Sequence, residues 1–266
     1  MPYRNVSLRS IINHFCNMCY DIKTSLETQL KRAIRFGQLD AILEIEEKLR
    51  PFSESNLHHV SGYAHPKLYI YTNESPKIPV ISLWGLVPNW VKTEVQFLKF
   101  WNATLNARVE TIFEKPSFKH SAKHQRCLIY VDGFYEHHHY KGKTYPFYIK
   151  NKSDLPLCFA GLWSDWLNPA TGELINTFSI VTRKGNPFMA KIHNNPKLKE
   201  PRMPLMLNNE MEAEWLNIAP LSLNKLATQA SEIELSAHTV GRLRGNAYLG
   251  NVAEVSERHK YEELVF

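Results

Sequence analysis

Residues 126–150, RCLIYVDGFYEHHHYKGKTYPFYIK, decide the fold. They are rich in β-branched and aromatic residues, and Lys141-Gly142-Lys143 supplies a tight turn, so the stretch reads as a β-hairpin. A second hairpin follows, with Leu155–Trp163 and Leu174–Thr182 joined by Asn168-Pro169-Ala170-Thr171-Gly172. Working backward, Lys67–Tyr71 and Ile78–Trp84 have strand composition punctuated by Pro66, Pro76 and Pro79. Ser25 to Arg50 reads as helical, with Leu26, Leu30 and Ile34 on one face. Gly37 interrupts that helix, and Leu39, Ile42, Leu43 and Leu49 resume it until Pro51. Working forward, Glu210–Leu216 and Leu223–Ala230 read as short helices and Ile233–Val240 as a last strand. Strands and helices without a βαβ rhythm predict an α+β fold, with a mostly antiparallel, curved or barrel-like sheet and flanking helices. One domain spans residues 19–254, between an N-terminal extension (1–18) and a C-terminal tail (255–266).

Composition narrows the function classes. A chain of 266 residues with 44% hydrophobic and 22% charged residues can bury a full core, which excludes a disordered protein. No apolar run reaches the length of a membrane span, so no membrane partner is expected. A net charge of +6 points weakly to a polyanionic partner. Cys16, Cys19, Cys127 and Cys158 form no disulfide framework for a chain this size, and the first segment resembles no secretory signal. A reducing, cytoplasmic compartment is the expectation. Cys127 and Cys158 lie in apolar runs and read as buried, reduced core residues.

Several residues carry chemistry. Met18-Cys19 stands where the domain begins, and a chain starting at Met18 would lose that methionine and expose Cys19. An N-terminal cysteine offers a thiol and an α-amine two carbons apart, which trap an aldehyde as an imine and then a thiazolidine. Asn106 and Arg108 share a face if their segment is extended, pairing an amide with a phosphate-binding guanidinium. A loop-capping Asn and a surface Arg are the bland reading. Glu136 ends an apolar run, where burial would raise its pKa toward acid–base use. His193 is a candidate proton donor, although a lone histidine is commonly an ordinary loop residue. His137-His138-His139 alternate faces and read as a solvated hairpin edge, and Cys16-Asn17-Met18-Cys19 lacks the further ligands a zinc site needs. No metal and no cofactor are expected.

In order along the chain stand Met18-Cys19-Tyr20, Trp84-Gly85-Leu86-Val87-Pro88, Asn106-Ala107-Arg108-Val109-Glu110-Thr111, Asp132-Gly133-Phe134-Tyr135-Glu136, Gly161-Leu162-Trp163, Ile192-His193 and Arg202-Met203-Pro204. Each is weak alone, but the ordered set resembles the SOS-response-associated peptidase (SRAP) family, the abasic-site-processing proteins. The resemblance implies a monomeric, nucleoid-associated protein of the DNA damage response that binds abasic sites in single-stranded DNA and crosslinks itself to them. It implies Cys19 as nucleophile, Glu136 as proton shuttle, His193 as assistant in ring opening and crosslink reversal, and Asn106 orienting the reacting centre. Arg108 would hold a phosphate, and Trp84, Pro88 and Arg202 would help form the DNA-binding surface, although Trp84 reads equally as a core residue. Peptidase and lyase activities follow from the same resemblance.

Two departures qualify it. Seventeen residues precede Met18 and would cap the Cys19 amine. Translation from Met18, self-removal of the extension, or loss of crosslinking would each account for them, and a start at Met18 is favoured. The alternative function is a non-covalent single-stranded DNA-binding module. A loop longer than the family spacing also separates His193 from Arg202.

Overall fold

The computed structural model describes residues 20–49, 57–217 and 233–266. In chain order the elements are β1 (Asp21–Thr24), α1 (Leu26–Arg35), α2 (Leu39–Leu49), β2 (Leu57–Ser61), β3 (Lys67–Thr72) and β4 (Val80–Trp84). Then come α3 (Glu94–Trp101), β5 (Asn106–Arg108), α4 (Pro116–His124), β6 (Arg126–Val131), β7 (Gly133–Tyr140) and β8 (Lys143–Asn151). The chain continues through β9 (Leu157–Leu167), β10 (Leu174–Lys184), α5 (Pro187–Ile192), β11 (Arg202–Pro204), β12 (Met206–Leu207), α6 (Asn209–Asn217) and β13 (Leu235–Thr239).

Strands β10, β4, β3, β6 and β9 neighbour one another in that order, and β9 pairs back onto β10, which closes a barrel. All of its pairings are antiparallel except β4 with β10. The second sheet is open and antiparallel, in the order β13-β8-β7-β1-β2. Strand alternation explains how the two share a core. In β6, Cys127, Ile129 and Val131 join Phe134, Phe147 and Phe159 in one cluster, while Leu128 and Tyr130 turn the other way toward Trp215 of α6. Both faces of β6 are therefore buried, which is why its sequence reads as a continuous apolar run. At Gly161 of β9 a Cβ would press on the ends of the Ile129 and Cys127 side chains, so glycine leaves room for both in the core. Cys127 and Cys158 are buried free thiols, as expected.

The α+β, barrel-like expectation is met, with three corrections. Residues 126–150 are not one hairpin. The turn at Lys141-Gly142 joins β7 to β8, but β6 belongs to the barrel. The chain changes sheet at Asp132-Gly133, where a Cβ on Gly133 would come within 2.5 Å of Ile149 O. The buried face of α1 is Thr28, Gln29, Arg32 and Ala33, while Ile34 is 61% exposed. Arg32 tolerates burial because it donates to Pro76 O (2.6 Å) and Gln38 Oε1 (2.8 Å) and stacks on Tyr71. Residues 255–266, expected as a tail, run back over the structure. His259 N donates to Thr239 O, Tyr261 Oη donates to Val240 O, and Leu264 packs against the main core. The expected helix Leu223–Ala230 lies outside the described residues.

Candidate functional site

Strand β7 and helix α5 build the centre of the site. Asn186 caps α5 by accepting from Met189 N (2.9 Å), Pro187 occupies its first turn, and His193 closes it by donating N–H to Met189 O. This places His193 Nδ1 3.7 Å from Glu136 Oε1 and 3.1 Å from Arg202 O. Glu136 and His193 are buried together, so their electrostatic interaction is little screened. His193 Nε2 finds no hydrogen-bond partner among the described residues. Such an arrangement can accept and return a proton in a site with little water.

The same packing corrects the reading of the histidine run. His138 is buried and its Nδ1 donates to Lys191 O (2.8 Å). His139 N donates to Asn194 Oδ1 and His139 O accepts from Asn194 Nδ2. The exit of α5 thus covers what reads in the sequence as a solvated edge. Burial pushes the imidazole of His137 down to about 4.

The remaining candidates flank β10. Asn106 and Arg108 on β5 pair in parallel with Ile180 and Thr182; Asn106 is buried and Arg108 is exposed. Arg202 on β11 sits on the other side of β10, opposite Lys184. Its side chain is buried and bidentate on Glu110, at 2.8 and 2.9 Å, with a further bond to Thr182 O. Burial alone would raise the Glu110 carboxyl, but Arg202 more than offsets this and holds it below the usual carboxylate range. The guanidinium of Arg202 is therefore committed inside the protein, against the expectation of a DNA contact. Of the two readings of Trp84, the structure selects the core one. It is fully buried, donates Nε1–H to Leu105 O (2.8 Å) and stacks near Phe178. Pro88 is buried too.

Sequence reasoning missed Trp90, which is 43% exposed, packed edge-on against Phe100 and set beside Pro116 at the start of α4. Its place just beyond Pro88, in a turn, was the available signal. Also missed was a polar cluster around Asp21, His59 and Arg244, whose members are far apart in sequence.

Cys16, Met18 and Cys19 lie outside the described residues. The described chain begins at Tyr20, whose carbonyl accepts from Gly62 N (2.7 Å) and whose ring packs on Tyr63. Asp21 pairs with Tyr135, one step along β7 from Glu136. A cleft of about 390 Å³ lined by Lys23, Lys31, Asp132, Lys150 and Asp154 lies elsewhere. Its lysines are already engaged, Lys31 by Glu27, Lys150 by Asp154 and Lys23 by Ser256. Among the described residues no group of His, Cys, Asp and Glu side chains could hold a metal, and no helix is long and apolar enough to cross a membrane.

Comparison with known proteins shows the family and the fold. The chain is 35% identical over 231 residues to abasic site processing protein YoqW of Bacillus subtilis, spanning 84% of this chain and 97% of that protein. It is 31% identical over 167 residues to abasic site processing protein HMCES of Gallus gallus, covering 55% of this chain and 47% of that protein. A crystal structure of a Bacteroides thetaiotaomicron protein superposes with a TM-score of 0.75 at 29% identity, over 91% of this chain and all of that one (100%). Residues 35–247 match the family described as SOS response associated peptidase. With that match, and with relatives that extend over most of its length, the chain belongs to the SOS response associated peptidase (SRAP) family.

Proposed function

We propose that this protein processes abasic sites in single-stranded DNA by forming a covalent thiazolidine link through Cys19. The observation that carries the reading is the buried Glu136–His193 pair, one register step from the point where the chain following Cys19 joins β7.

The α-amine of Cys19, with an ordinary pKa of about 7.8, is partly unprotonated near neutrality. It adds to the aldehyde carbon of the ring-opened sugar. Glu136 takes the amine proton and returns it to the departing hydroxyl, releasing water and leaving an imine. The thiol then adds to the imine carbon and the nitrogen is reprotonated, which closes the thiazolidine. His193 assists sugar ring opening and, in the reverse direction, release. Asn106 orients the reacting carbon and Arg108 holds a flanking phosphate. Trp90, rather than Trp84, offers a face on which a base could stack. Self-cleavage at Met18-Cys19 is the accompanying peptidase activity: the Cys19 thiol attacks the Met18 carbonyl, the Cys19 amine leaves, and water hydrolyses the thioester to release residues 1–18; a lyase-type activity on the abasic strand belongs to the same reading. The setting is DNA damage, with the protein acting as a monomer at the nucleoid.

The test uses protein with a verified Cys19 amine and a single-stranded oligonucleotide bearing one abasic site. A denaturation-resistant adduct that is absent from Cys19→Ala is expected. Absence of any adduct, or equal yield from Cys19→Ala, overturns the reading. Residues 1–18, which acylate the Cys19 amine in the sequence as written, favour the alternative of binding without covalent capture. Salt-sensitive binding with no adduct from the chain carrying those residues would establish it.

A further inference from the structure

On the face of β7 opposite Glu136, three chain segments converge on one carboxylate. Asp21 is 3% exposed, yet it is an acid on a sheet strand two residues after Cys19. Its Oδ2 accepts from Arg244 Nη2 (2.9 Å), and its Oδ1 lies 3.6 Å from His59 Nε2. His59 is in turn fixed by Tyr248 Oη at Nδ1 (2.7 Å) and by Asn251 Oδ1 at its backbone N–H (3.0 Å). Burial would raise the Asp21 carboxyl, but His59, Arg244 and His137 outweigh that and keep it below its ordinary value. The acid is charged and rigidly held.

Arg244 is built differently from the other paired arginine near the site. Arg202 is buried, with both terminal nitrogens of its guanidinium bonded inside the protein, whereas the side chain of Arg244 is 53% exposed while its anchor is buried. Among the described residues its one hydrogen bond goes to Asp21, which leaves the other N–H donors directed away from that contact. A guanidinium fixed at one corner by a carboxylate has lost much of its rotamer freedom before any ligand arrives. That is the preorganisation a phosphate contact needs.

We infer that Arg244, oriented by Asp21 two residues after Cys19, is a phosphate-binding positioning residue for the DNA strand on the face of β7 opposite the Glu136–His193 pair. The inference rests on the proposed function for its ligand, but it concerns binding and not the covalent step. Its test therefore uses an undamaged single-stranded oligonucleotide, which cannot crosslink, titrated at several salt concentrations. Arg244→Gln is expected to bind about tenfold more weakly. The slope of log affinity against log salt should become shallower by about 0.7, the value for one phosphate contact on a single strand. Arg244→Lys should keep the slope while losing part of the affinity. Because Arg244→Gln leaves Asp21 buried without its partner, the double variant Asp21→Asn/Arg244→Gln is measured beside it and should show the same shallower slope. An unchanged slope in both variants overturns the inference even if abasic DNA is crosslinked normally. A shallower slope sustains it even if no adduct ever forms, so its failure and that of the crosslinking reading are separable.

Discussion

In the barrel, polar side chains are spent on holding strands and helices together. Arg126 donates to Ala122 O and Trp215 O, Trp163 donates to Asn73, and Trp215 Nε1 reaches Cys127 O and Gly161 O. In the open sheet, polar groups gather instead at one end, where Glu136 meets His193 on one face and Asp21 gathers His59 and Arg244 on the other. The two sheets share a core, so the difference is one of use and not of environment. A closed ring tied to its helices by such bonds makes a rigid frame, and the sheet with an open end can present charge to a ligand.

That contrast can be broken by experiment. The largest effect is expected at Glu136. Glu136→Gln keeps the shape but removes the proton acceptor, and should slow adduct formation by about 10² or more while leaving the melting temperature nearly unchanged. A stability loss with normal adduct rates would place Glu136 in the frame instead. The next comparison sets two tryptophans of one segment against each other. Trp84→Ala empties a fully buried site and should cost about 3–5 kcal/mol of stability in denaturant unfolding. Trp90→Ala should leave stability within about 1 kcal/mol but weaken single-stranded DNA binding by about 1–3 kcal/mol. Exchanged outcomes would undo the assignment of Trp84 to the core.

The last effect is expected from pH. Burial holds His137 down to about 4 and also lowers His65, whose hydrogen bonds to Trp84 O and Asn102 offset this in part. An unfolded histidine takes up its proton near 6.5, so the unfolded chain binds more protons than the folded one below that pH. Stability should therefore fall as pH drops from 6.5 toward 4, and urea midpoints across that range would measure it. A midpoint that rises on acidification would contradict the buried, neutral state of these rings.

Turn chemistry made the hairpins legible. Lys141-Gly142 and the loop ending at Gly172 join strands as their composition requires. The change of sheet at Asp132-Gly133 was not legible, because β6 and β7 have the same apolar, aromatic character and only distant partners divide them. Periodicity found α1 and the packing of Leu26 and Leu30, but not the burial of Arg32, since it cannot foresee that carbonyls of Pro76 and Lys77 would accept from that side chain. At the site, Glu136 and His193 were found as separate motifs, and the fold brings them within 3.7 Å. Arg202 was misread for the opposite reason. Its partner Glu110 stands in another motif, and pairing turned an expected ligand contact into an internal tie.

Strand β10 has a consequence for how the molecule assembles. One of its edges meets β9 and then β11, and the other meets β4 and then β5. The β9 seam is local and can zip from its own loop. The β4 seam is only Thr177 with Leu83 and Phe178 with Trp84, and its two halves are nearly a hundred residues apart. Loop closure makes such a distant join slow. The barrel should therefore form as an open hairpin that waits for its last parallel stitch, and refolding speed will be set at that stitch.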